Sequence, residues 1–337
     1  MLTGKQTWLF DRKPYIISAS TVVGPDEGAG PLGDRFDMVH SDYFIGEDSW
    51  EKAERKFLEE SMELTLDGAG LQKKDISFYV GGDLLNQIVS NTFAARTMAV
   101  PYIGVFGACS TSMESLALAS LMVNYHSANY AMAGVCSHNC SAEKQFRYPT
   151  EYGSQKPPTA QFTVTGAGTS LLSLTGKPDM PRVTSATIGK IVDMGIKDPF
   201  NMGAAMAPAA VDTMHAHFHD RGIEPGYYDM IVTGDLAKVG YSIAKDLLKE
   251  KGIDIGQTDY QDCGILVFDP DKQMVQAGGS GAACSAVVTY GHLLKKMREG
   301  ELKRLLVVAT GALMSPITFQ QGESIPCIAH AVSIEME

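Results

Sequence analysis

The sequence predicts an α/β protein built as two copies of one unit, and three observations predict it. β-Branched and apolar runs alternate with helix-length segments along the whole chain, the pattern of strands in largely covered sheets. The second half repeats the order of the first. The 337 residues are 45% hydrophobic and 20% charged, enough to bury a core in each of two packed halves and far from a disordered or fibrous composition.

In the first half, residues 14–23 (PYIISASTVV) read as a strand and 24–34 (GPDEGAGPLGD) as a Gly/Pro/Asp loop. Residues 49–66 read as an amphipathic helix, with Trp50, Ala53, Phe57 and Leu64 on one face. Asp48 with Glu51 predicts a capping box at its start, and Gly68 with Gly70 predicts its end. A strand follows at 76–81, a helix at 83–98, a strand at 102–106 and a helix opening near Cys109. Residues 129–136 and 161–174 read as buried strands.

The second half runs parallel to this. A strand at 183–194 precedes a helix at 205–221. The strand at 227–233 leads into Gly234-Asp235-Leu236, which echoes Gly82-Asp83-Leu84. The small-residue helix start at 278–286 stands where the Cys109 helix start stood, 304–311 matches 129–136, and the terminal PCIAHAVSIEM matches 161–174. Chance similarity of buried strands would not keep five segments in order, so an internal duplication of about 150 residues per unit is the better account. The two halves are taken as residues 1–180 and 181–337.

With 28 basic and 39 acidic residues the net charge is −11, which argues against sequence-independent nucleic-acid binding, since that requires a cationic surface. No run has the length of a membrane span, and MLTGKQTWLF lacks the apolar core of a signal peptide; any membrane association is expected to be peripheral. The six cysteines are widely spaced and read as reduced thiols.

The sharpest local feature is GVFGACSTSMESL, residues 104–116, where a strand ends in a small-residue turn and a helix begins at Cys109. A helix start favours a thiolate or a bound anion; the alternative is a packed structural thiol. Ser137, His138 and Asn139 follow the strand ending at Cys136, and ligands in such folds collect at the carboxyl ends of strands. His138 would gain charge beside a bound dianion, or it is a loop histidine that satisfies backbone carbonyls. Cys136, His138 and Cys140 lack the fourth ligand of a structural zinc site. His215, His217 and His219 read as a solvated helix face, with only the first and third sharing a side. Lys144, Arg147 and Lys156 form a basic stretch that reads as a lid or as ordinary loop charges.

Duplicated halves, the strand-turn-helix carrying Cys109 and the glycine-rich segments of the second half resemble the thiolase and ketoacyl-synthase superfamily from end to end. That resemblance implies a thiolase-like duplicated fold, a five-layer α-β-α-β-α sandwich. Within it, residues 24–37 (GPDEGAGPLGDRFD), 106–117 (FGACSTSMESLA) and 133–153 (AGVCSHNCSAEKQFRYPTEYG) resemble a sporulation family of spore-forming bacteria. Its members are known as thiolase-fold binders of dipicolinic acid, acting in its movement into the developing spore and its release at germination.

Acyl-transferring members of the superfamily pair the cysteine with two further side chains, two His or a His and an Asn. Here the first such loop reads Thr233-Gly234-Asp235-Leu236-Ala237-Lys238 and the second Gly278-Gly279-Ser280-Gly281. Neither offers those partners, and thiol acyl transfer needs a base and oxyanion donors. The resemblance therefore implies non-catalytic binding of dipicolinic acid or its calcium chelate, with Cys109, Ser110, Ser137, His138, Asn139, Asp235, Ser280 and Gly311 as ligand-binding residues. Phe162 and Met202 are candidates for its flat apolar walls. No catalytic residue, cofactor or metal is expected. The rival reading is an acyltransferase that uses Cys109 on an acyl-CoA thioester with His138 as base. The resemblance further implies a homodimer, partners among membrane-embedded proteins of the same sporulation operon, and a place on the cytoplasmic face of the inner forespore or spore membrane.

Overall fold

The computed structural model describes residues 1–146 and 156–337. Ten strands form the path of its main sheet: β1 (Tyr15–Val23), β2 (Phe78–Gly82), β3 (Tyr102–Gly104), β4 (Ala131–Ser137), β5 (Gly166–Ser173), β6 (Arg182–Ile188), β7 (Met230–Thr233), β8 (Asp259–Asp262), β9 (Arg304–Ala312) and β10 (Cys327–Glu335). The helices used below are α1 (Trp50–Ala69), α2 (Val89–Met98), α3 (Thr111–Asn124), α4 (Asn139–Phe146), α5 (Met202–Arg221), α6 (Ala237–Glu250) and α7 (Ala282–Val287), the last running on helically to Arg298.

The first five strands lie in the order β1-β5-β4-β2-β3 and the last five in the order β6-β10-β9-β7-β8. Directions match as well: in each set the first two pairings are antiparallel and the last two parallel. A short N-terminal hairpin on β6, and one antiparallel pairing of Arg182 with Tyr15, join the sets into a continuous sheet.

Five layers follow from the strand period of two. On β4, Ala131, Ala133 and Val135 enter a central core, while Met132 and Cys136 enter an outer one under α1 and α2 with Phe57, Leu58 and Met62. On β9, Leu305, Val307 and Ala309 face the centre; Leu306 and Val308 face a second outer core under α5 and α6 with Met206, Met214 and Phe218. The middle layer is α3 and the α7 run, whose Met113, Leu116, Val287 and Leu293 are fully buried. Each such side chain contributes about 2 kcal/mol relative to exposure.

Several boundaries differ from the sequence reading. Ser49 caps α1 by accepting from the Lys52 N–H at 3.3 Å, while Asp48 pairs with the Lys52 ammonium at 2.6 Å. Gly68 lies inside that helix, and Gly70, at φ +66°, ends it. The helix expected from 83 begins at Val89, because the Asp83 carboxylate takes the Leu85 and Asn91 N–H groups at 2.9 and 2.8 Å and folds the intervening chain into a turn. The run at 161–174 splits into Phe162–Thr163, paired with Gly279–Ser280, and β5. β6 stops at Ile188 rather than 194, where Gly189 passes so close to Ala329 that a Cβ would lie 1.9 Å from its carbonyl oxygen. Of the histidines on α5, His215 and His219 are exposed and stacked. His217 is instead buried, bonded to Thr187 and Tyr228 at 2.7 Å each. α6 and β8, between 237 and 262, are elements that the sequence reading does not include, although α6 is amphipathic, burying Ala237, Gly240, Ala244 and Leu248.

Candidate functional site

β2, β3 and β4 of the first half and β7, β8 and β9 of the second end near one another, and the Cys109 turn lies between them. Ala108 adopts φ +51°, a region costly for a residue with a Cβ, and places Cys109 in a short 3₁₀ turn leading into α3. The turn is tied by its own side chains. Ser110 donates to the Gly107 carbonyl at 2.7 Å, and Thr111 accepts from the Gly107 N–H at 3.0 Å while donating to the Ala108 carbonyl at 2.7 Å. Gly311, at the end of β9, runs against this turn; a Cβ there would meet the Gly107 oxygen at 2.2 Å, so no larger residue fits without moving the thiol.

The sulfur of Cys109 lies 3.9 Å from the Ser280 hydroxyl. Behind it is Asp235, 1% exposed. One of its oxygens accepts from Thr310 at 2.6 Å; the other accepts from Ser280 at 2.9 Å and the Gly281 N–H at 3.2 Å. Burial pushes the Cys109 thiol well above its ordinary range, and the Asp235 carboxylate beside it pushes further the same way. Burial also raises Asp235 itself, against the lowering effect of its hydrogen bonds. The helix start therefore does not yield a thiolate here: at neutral pH the sulfur carries its proton. Gly281, at φ +105°, sits where a Cβ would be 2.8 Å from the Ser137 oxygen.

Ser137, His138 and Asn139 are placed together by sequence but are turned to other tasks. Ser137 donates to the Val164 carbonyl at 2.7 Å and accepts the Ala283 N–H at 3.1 Å, which ties β4 to the start of α7. His138 meets the Tyr43 carbonyl through Nε2 at 2.9 Å and accepts the Cys140 N–H on Nδ1 at 3.1 Å. Both ring nitrogens are thus committed, and burial lowers its pKa; the ring is a neutral packing element between Tyr43 and Phe57. Asn139 bonds Thr165 through its backbone N–H at 3.0 Å. Cys136 faces Glu54 and Asn91, not His138, so the Cys136, His138, Cys140 set is divided between two surroundings.

In front of the thiol opens a cavity of about 550 Å³, its mouth included, lined by Leu84, Phe106, Ala108, Cys109, Ala142, Glu143, Phe146, Thr163, Met202, Ser280, Ala312 and Met314. Of the expected site residues, Cys109 and Ser280 line it, Asp235 supports it from behind, and Ser110 and Gly311 shape its turn. Met202 is a wall. Phe162 instead packs edge-on against Phe268, 5.6 Å between ring centres. Among the described residues Glu143 is the one charged group in the lining. Lys156 pairs with it at 2.9 Å, and Lys144 pairs with Glu51 at 2.6 Å; Arg147 lies outside the described residues. Sequence reasoning missed Phe106, Phe146, Thr310 and Met314. The first stood in plain view beside the Cys109 motif, whereas the others reach the site from distant elements and carried no local signal.

A duplicated five-layer sandwich with a cysteine at the head of its middle-layer helix defines a thiolase-like protein, and solved structures agree on the fold. A variant of Xanthomonas campestris OleA bound with Cerulenin superposes with a TM-score of 0.62 at 14% identity, covering 97% of each chain. The 3-oxoacyl-(acyl carrier protein) synthase III, FabH, of Xanthomonas oryzae gives 0.59 at 15% identity over 97% of this chain and 100% of that one. Residues 4–335 match the family Stage V sporulation protein AD (SpoVAD). The chain is 52% identical over 334 residues to Stage V sporulation protein AD of Bacillus subtilis, 99% of this chain and 98% of that one. The chain belongs to the SpoVAD family.

Proposed function

We propose that this sporulation protein is a receptor, not a catalyst, and that it holds dipicolinate or its calcium chelate in the cavity before Cys109. The observation that carries the reading is that, among the described residues, no histidine lines the cavity before the sulfur, and the carboxylate beside it, Asp235, is taken up by Thr310, Ser280 and the Gly281 N–H. The thiol is pushed up by burial and by Asp235, a serine hydroxyl lies 3.9 Å from it, and the His138 nitrogens are both engaged elsewhere. A flat aromatic ligand fits between Phe106, Phe146, Met202 and Met314, with Ser280, Thr163 and the N-terminal end of α3 at its polar edge. The two repeats, residues 1–180 and 181–337, act as the cavity's opposing walls.

In this reading the chain works as a homodimer beside membrane-embedded proteins of the same operon, on the cytoplasmic face of the inner spore membrane. No helix among the described residues is long and apolar enough to cross a membrane, which is compatible with peripheral attachment.

Isothermal titration calorimetry with dipicolinate, with and without calcium, on wild type, Cys109→Ala and Ser280→Ala tests the site. Binding weakened about tenfold in Ser280→Ala is expected, the loss of one charge-assisted hydrogen bond; equal affinity in all three proteins removes the site. The rival acyltransferase is favoured by the strained turn at Ala108 and predicts that an acyl-CoA adds its acyl mass to Cys109 in intact-mass spectrometry. No such adduct is expected.

A further inference from the structure

A second polar cluster lies away from the cavity, under α1. Glu54, Asp83 and Cys136 come from α1, the end of β2 and β4; they are 1%, 0% and 0% exposed, and a carboxylate oxygen of each acid and the sulfur lie within 4.8 Å of one another. Among the described residues neither acid has a Lys, Arg or His partner. Two buried carboxylates this close cannot both stay ionised without a cation. The Ser90 hydroxyl, 2% exposed, is turned toward Glu54 yet completes no hydrogen bond. Ser90 also lines a surface cleft between α1 and α2, with Glu51, Arg55 and Phe93, so the cluster adjoins solvent through that one residue.

We propose that Glu54, Asp83 and Cys136, with Ser90 or a water as fourth donor, form a transition-metal site, and its mixed thiolate and carboxylate donors suit zinc. The supporting groups are already arranged as an outer shell. Asn91 donates through Nδ2 to Asp83 at 3.2 Å and to the Cys136 sulfur at 3.5 Å, and its own carbonyl accepts from Tyr79. Backbone N–H groups of Leu85 and Asn91 fix the two Asp83 oxygens, and since Oδ2 also takes the Asn91 amide, Oδ1 is the oxygen that retains a lone pair for a metal; Ser141 fixes the second oxygen of Glu54. Such partners orient ligands and set metal affinity. Tetrahedral zinc needs ligand atoms about 3.5 Å apart, so binding draws the three donors together by roughly an ångström and releases the protons of the thiol and of one carboxyl.

The test is a titration of the full chain, first stripped with a chelator, with Co²⁺ alone, read by absorption and then competed with Zn²⁺. One equivalent is expected, with a sulfur-to-cobalt charge-transfer band that Zn²⁺ abolishes, that Cys136→Ser lacks, and that Cys109→Ala retains. Asp83→Asn is expected to weaken uptake at least tenfold. The proposal is overturned if folded wild type takes up less than about 0.1 equivalent, in which case a shared proton keeps the acids neutral, or if the band persists in Cys136→Ser.

Discussion

Asp83 and Asp235 hold the same place in the two halves, directly after a glycine at the C-terminal end of a parallel strand. Sheet register extends the equivalence to their neighbours. Gly81 opposes Gly134, and Thr233 opposes Val308, so two residues further along Cys136 corresponds to Thr310. In the first half the acid is held by the turn before α2 and faces a thiol and a second acid. In the second half it is held by Thr310, Ser280 and Gly281, against the Cys109 sulfur. One ancestral position has become an outer-layer cluster on one side and the floor of a cavity on the other. Duplication fixes where an acid stands; the side chains brought to it from other elements decide its chemistry.

The largest effect that separates the two is expected from Asp235→Ala. It strips the acceptor from two hydroxyls and a backbone N–H, costing about 2–4 kcal/mol, and is expected to weaken the proposed dipicolinate binding about tenfold, as Ser280→Ala does, because Ser280 is released. Asp83→Ala is expected to cost a similar amount while leaving affinity within twofold. Urea denaturation and calorimetry on both variants check this, and equal loss of affinity in the two would break the distinction.

A smaller effect of opposite sign is expected at Glu27, a buried acid of the first half. One oxygen accepts the Thr165 N–H at 2.8 Å and the other has no partner, and burial raises its pKa to about 8. Its folded value lies above its unfolded one, so the native state holds the extra proton between about pH 4.5 and 8. The stability it supports is complete below that window and lost across it as pH rises. Glu27→Gln removes this dependence, and its thermal midpoint is expected to overtake that of wild type between pH 5.5 and 8.5. Parallel curves for the two proteins would mean that the acid ionises without cost. Asp262, a buried acid of the second half, has a pKa raised by burial to about 7 but accepts from Thr233, Leu236, Ala237 and Ile265, so Asp262→Asn gives no such gain.

The smallest effect concerns Ser137, which corresponds by register to Gly311. Ser137→Ala loses its bonds to Val164 and Ala283 and is expected to lower stability by about 1 kcal/mol, with dipicolinate affinity unchanged by calorimetry. A weakened affinity would return Ser137 to the ligand shell.

Much of the fold was legible because its signals are local. The alternation of strands and helices, the repeated order of segments and the Cys109 turn are periodicities and small-residue runs that a few neighbouring residues carry. The Ser49 cap and the end of β6 were less so, since the first depends on which of two adjacent polar residues takes the extended conformation and the second on the approach of Ala329. Cys109 and Ser280 were found from their motifs; His138 was read as a possible pocket cation because its neighbours are polar, while its actual partners, Tyr43 and the Cys140 N–H, are set by how α4 leaves β4.

By itself the sequence determined the two-unit plan, the position of the thiol at a helix start and the lack of a histidine in the second-half loops. Tertiary structure alone decided that the thiol stays protonated, that Asp235 is an acceptor hub behind it, and that Glu54, Asp83 and Cys136 meet. The reason is physical. Burial and hydrogen-bond partnership are assigned by residues tens or hundreds of positions apart, and desolvation, the strongest influence on each of these groups, exists only once the layers have closed over them.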